Sequence, residues 1–147
     1  MAERTERDVL HHLMDVCKDG ERGFRTAADH VGDAKLKALF LDLAAQRRQF
    51  AEELVPHMQR LGGLADAEGS SAASLHRGWM TLTGLAPGRH DHHIVTEAER
   101  GEQAARNAYD DALKGMLPPT VTDMIEAQRE AMTAANDRIR SIDMGYA

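Results

Sequence analysis

Cysteine occurs once, proline four times, and aromatic residues fill only 4% of the 147 positions. A single thiol, Cys17, cannot close an internal disulfide or furnish a cysteine zinc site, so neither kind of staple is open to this chain. Cys17 falls on an apolar stripe and is expected to be a buried, reduced thiol. Few aromatics and prolines, with many Ala, Leu, Glu, Arg and Gln residues, favour helices over strands. Basic residues are also in short supply. The 18 Lys and Arg stand against 24 Asp and Glu, a net charge of −6, which argues against a surface that tracks nucleic-acid phosphates. No long hydrophobic run is present in "MAERTERDVL", which is charged from its third residue. A secretory leader or membrane span is therefore not expected, and the predicted location is the cytoplasm.

What is present is apolar content of 42%, enough to fill one continuous core. We expect a single all-α domain over residues 1–147. Helix A, about 4–31, places Leu10, Met14, Cys17, Phe24, Ala28 and Val31 on one face, and Gly32 is expected to end it. Helix B, about 34–61, is capped by Asp33, carries Leu36, Leu39, Leu43, Phe50, Leu54 and Leu61 inward, and stops at Gly62-Gly63. Pro56 predicts a kink or an early end. Helix C, about 91–116, has Val95, Ala98, Ala105, Tyr109, Leu113 and Met116. Helix D, about 119–143, has Val121, Ile125, Met132, Ala135, Ile139 and Ile142. Short links make A–B and C–D antiparallel hairpins. The crossover at 62–90 carries a short helix at about 71–84 with Leu75, Trp79 and Leu82 on one face. If it travels the bundle's length, B and C run parallel. If it folds back locally, the bundle is up-down-up-down.

The stripes are interrupted by polar residues. "DGERGF" puts Glu21 between Cys17 and Phe24, and "ERG" recurs as Glu99-Arg100-Gly101 in helix C, with Glu102 next. Counting back from the hairpin turns places Glu21, Gln46, Glu99 and Glu102 in one layer near mid-bundle. A second layer, about two turns away, holds Glu53, Tyr109 and Gln128, with His57 nearby. Asn136 joins the inner polar positions of helix D. The segment "RHDHH" puts His90, His92 and His93 beside a predicted N-cap, Asp91, as an exposed cluster. Trp79 in "HRGW" marks either a cover over the bundle or a homodimer surface.

The segments "CKDGERGFRTAAD", "LKALF", "RRQFAEEL", "RLGG", "LHRGWM", "ERGEQAA" and "AYDDAL" resemble a bacterial family of ferritin-like four-helix-bundle proteins whose function is uncharacterised. The resemblance covers almost the whole chain and implies a ferritin-like fold, but no substrate, reaction or partner. Members often carry histidine where Asn136 stands, which sets the resemblance against a metal role for helix D. A ferritin-like di-iron site takes a glutamate from each of two helices and a Glu-x-x-His pair from each of the others. Helices A and C offer Glu21, Glu99 and Glu102. Helices B and D present Gln46-x-x-Gln49 and Thr133-x-x-Asn136 instead. Two expectations follow. One is a structural, stress-associated or partner-binding bundle with a carboxylate-rich polar core. The other is a di-metal protein, holding iron or manganese on Glu21, Glu99 and Glu102, with oxidoreductase or storage activity. No catalytic residue is assigned in either case.

Overall fold

The structure, a computed structural model, describes residues 5–62 and 91–143; the expected short helix with Trp79, and His90 of the expected histidine cluster, lie outside them. Among the described residues there are four helices and no strand: α1 (Glu6–His30), α2 (Ala34–Arg60), α3 (Asp91–Leu113) and α4 (Pro119–Asp143).

Local chemistry sets the ends. Thr5 and Asp8 form a reciprocal capping box, with each backbone N–H donating to the other side chain at 3.4 and 3.1 Å. Extended backbone at Val31 ends α1, and Gly32 adopts no left-handed conformation. Asp33 caps α2 by accepting from Leu36 N–H at 2.9 Å. Helix α2 continues through Pro56 to Arg60, so the early end expected there does not occur. Gly62, at φ 112°, supplies the left-handed residue that closes it. Helix α3 stops at Leu113, short of Met116. The amides of Lys114 and Gly115 turn back to the carbonyls of Asp111 and Ala112, and Met116 is 93% exposed where the stripe predicted it inward.

Helix α1 packs on α2 and α3, and α4 packs on the same two, which leaves α1 facing α4 and α2 facing α3 across the diagonals. Side chains at the bundle ends fix the directions. Arg60 pairs with Glu6, joining the end of α2 to the start of α1. Asp91 accepts from Gly32 N–H at 2.9 Å and Asp33 N–H at 3.0 Å, and His92 meets Asp143 at 3.0 Å. Asp91 therefore ties the α1–α2 turn to α3. Helices α2 and α3 run parallel, with Arg60 and Asp91 at opposite ends of the bundle.

The apolar interior forms two clusters. Leu10, Leu13, Leu54, Met58, Tyr109 and Ile125 lie in one. Phe24, Phe40, Leu43, Ile94, Val95 and Ile139 lie in the other. The side chains between these clusters are polar.

Candidate functional site

The sequence leaves a seven-residue gap in each of the first three stripes: Cys17 to Phe24, Leu43 to Phe50 and Ala98 to Ala105. A helical repeat can fill such a gap at the third or the fourth position. In α2 the inward residue is Arg47 rather than Gln46, and in α3 it is Glu102; both side chains are 1% exposed. They meet across the bundle's diagonal. Nη1 and Nη2 of Arg47 donate to the two Glu102 oxygens, the second bond at 2.7 Å, and Nε donates to Gln46 Oε1 at 3.2 Å. This two-pronged geometry is the strongest pairing open to a guanidinium. Burial by itself lowers the Arg47 pKa, but the Glu102 carboxylate outweighs it and holds the guanidinium above its ordinary value.

Three further residues shape the cavity around the charge. The Arg47 guanidinium carbon lies 5.2 Å from the centre of the Phe24 ring and 5.8 Å from that of Phe50, within cation–π range. In α1 the gap is filled at its third position by Gly20. A Cβ there would sit 3.2 Å from Arg47 Cγ and 3.7 Å from Nη1. The buried glycine of "DGERGF" therefore clears a path for the arginine.

The remaining expected carboxylates are placed elsewhere, which corrects the single layer drawn from the sequence. Glu21 sits beside the seam, with its side chain 19% exposed, and pairs with Arg25 at 2.8 Å. Glu99, 24% exposed, pairs with Arg140 at 2.9 Å. The cause is the one-position shift in α1, which turns Gly20 inward and carries Glu21 100° round the helix. Glu21, Glu99 and Glu102 each have their own arginine. Among the described residues no three His, Cys, Asp or Glu side chains are grouped as metal ligands. These residues do not fit a di-metal centre, because a fixed cation already occupies both oxygens of the fully buried Glu102 carboxylate.

The second polar set takes one side chain from each helix. Tyr109 donates to Gln128 Oε1 at 2.6 Å, and Gln128 Nε2 donates to Glu53 Oε1 at 2.8 Å and to the Phe50 carbonyl at 3.4 Å. Cys17 Sγ lies 3.2 Å from Tyr109 Oη. With the tyrosine proton committed to Gln128, the thiol is the donor in that contact. All the bonds then run in one sense, from Cys17 through Tyr109 and Gln128 to the Glu53 carboxylate. Burial pushes the Cys17 thiol up to about 11, and burial followed by the neighbouring Cys17 raises Tyr109 well above its ordinary value. Both stay protonated near neutrality.

Asn136 is buried on α4, and its Oδ1 has no hydrogen-bond partner among the described residues. His57 is half-buried near the end of α2, while His92 and His93 are exposed. Arg47 is the residue that reading the sequence missed. Its signal was the gap between Leu43 and Phe50, which Gln46 and Arg47 fit equally well by spacing.

The model of a family described as a domain of unknown function, DUF2383, matches residues 5–115. The match covers α1, α2 and α3, so Arg47, Glu102, Cys17, Tyr109 and Glu53 lie within it and Gln128 lies beyond it. No curated protein matches the chain.

Proposed function

The chain belongs to the DUF2383 family, which brings no activity with it, and from the chain's own interior we propose a cytoplasmic, ferritin-like bundle protein with a structural, stress-associated or partner-binding role. The observation that carries this reading is the buried Arg47–Glu102 pair. A carboxylate at the centre of a helical bundle needs a counter-charge, because an unpaired buried ion is too costly to keep. Here a side chain supplies it. The alternative, iron or manganese held on Glu21, Glu99 and Glu102, would require Arg47 to leave Glu102 and the Arg25 and Arg140 pairs to open. Among the described residues no helix is long and apolar enough to cross a membrane. A homodimer belongs to the reading as its simplest partner arrangement.

Metal analysis of full-length protein purified without tag or chelator tests the proposal. We expect iron and manganese far below one ion per chain, and a melting temperature that does not move when either ion is added. Finding about two ions per chain, as a four-helix di-metal centre requires, would overturn it.

A further inference from the structure

A groove of about 450 Å³ opens between α2 and α4, lined by Phe50, Glu53, His57, Met124, Ala127 and Gln128. Its volume lies in the range of small-molecule sites, which are mostly apolar with a few fixed polar groups. Phe50, Met124 and Ala127 supply the apolar wall. The fixed polar group is Glu53, held by Gln128 Nε2 at 2.8 Å, while Gln128 is itself held by Tyr109 at 2.6 Å.

Glu53 differs from its neighbours in how its charge is met. Glu21, Glu52, Glu99 and Glu102 each face an arginine, whereas Glu53 has no ion-pair partner among the described residues. Gln128 donates one N–H to it, which leaves the other lone pairs of this exposed carboxylate open to solvent at the groove that Glu53 lines. A neutral donor orients the carboxylate without cancelling its charge. The net charge of −6 adds a field that favours cations. A metal ion is poorly matched, since the described residues offer no group of three ligands and α4 faces Glu53 with Met124, Ala127 and the neutral Gln128 amide.

We propose that the α2–α4 groove is a binding site for a small organic cation, a primary ammonium on a short aliphatic chain. The ammonium donates to Glu53, and the chain lies against Phe50, Met124 and Ala127. Gln128 and Tyr109 are positioning residues that set the carboxylate's rotamer. The inference stands independently of whether the Arg47–Glu102 interior excludes metal.

Titration of the full chain with n-pentylammonium, followed by ¹H–¹⁵N correlation spectra, tests it. We expect saturable shifts confined to the amides around 50–57 and 124–128. Affinity should fall by about tenfold or more in Glu53→Gln, as loss of a charge-assisted hydrogen bond implies, and by a similar factor for neutral n-pentanol. Gln accepts the same bond from Gln128, so the variant keeps the fold, which its unchanged spectrum elsewhere would confirm. Glu126→Gln, on the same helix but outside the groove lining, should bind like the parent. Non-saturable shifts, equal binding by Glu53→Gln, or equal binding of pentanol each overturn the proposal.

Discussion

An arginine buried as fully as Arg47 keeps its charge only while its surroundings replace water, and the replacements can be named: two Glu102 oxygens, the Gln46 amide oxygen and the faces of Phe24 and Phe50. Removing one charge leaves the other stranded. Glu102→Gln should therefore cost about 3–5 kcal/mol, whereas Arg47→Met with Glu102→Leu should lie within about 1–2 kcal/mol of the parent or exceed it. Urea denaturation of both variants checks this. A single variant as stable as the parent would mean that the pair is not desolvated in solution. Gly20 carries a second expectation at this scale. Alanine at an unconstrained helical site gains about 0.5–1 kcal/mol over glycine, but here its Cβ meets Arg47 Cγ at 3.2 Å. Because Arg47 is pinned on several sides, Gly20→Ala should lose about 1 kcal/mol or more in the same assay.

At the scale of the helix, most of the pattern was legible in the sequence. The inward stripes at Leu10, Leu43, Phe50, Ile125 and Ile139 are buried, since a repeat of three and four leaves an apolar residue no other place to go. Polar gaps were less determinate. Spacing admitted Gly20 or Glu21, and Gln46 or Arg47, and only packing decides between neighbours 100° apart on the same helix. The choice in α1 followed from the choice in α2, because an arginine at 47 needs the glycine opposite to face it. Tertiary dependence of this kind leaves no mark on either helix alone. Counting levels brings the polar side chains of Tyr109, Gln128 and Glu53 together, but which group donates to which depends on side-chain rotamers that spacing does not fix. Met116 shows the limit at helix ends, where tightening of the last turn ends the periodicity before the apolar pattern does.

For the whole molecule, the chain from Cys17 to Glu53 makes stability depend on alkaline pH. The thiol's ordinary value is 9.0 and its folded value about 11, so between these limits the unfolded chain has released a proton that the folded chain retains. Stability contributed by the buried thiol is complete below pH 9.0 and is lost as pH rises to about 11. The slope reaches at most about 1.4 kcal/mol per pH unit for one proton. Denaturation across this window should show the decline, and Cys17→Ser, whose hydroxyl does not titrate there, should flatten it between pH 9.0 and 10.0, above which buried Tyr109 adds a decline of the same sign. An identical slope in the variant would assign the decline to other groups.

The diagonal fork between Arg47 and Glu102 has a consequence for which packings the chain can adopt. Leucine and alanine stripes are forgiving of axial sliding, because one aliphatic contact replaces another after each turn. Two nitrogens facing two oxygens are not. Displacing α2 along α3 by one turn, about 5.4 Å, separates both pairs and leaves two ions in hydrocarbon. The pair thus acts as a height gauge between two helices whose backbones do not pack against each other. It rules out the slipped bundles that the apolar sequence alone would accept.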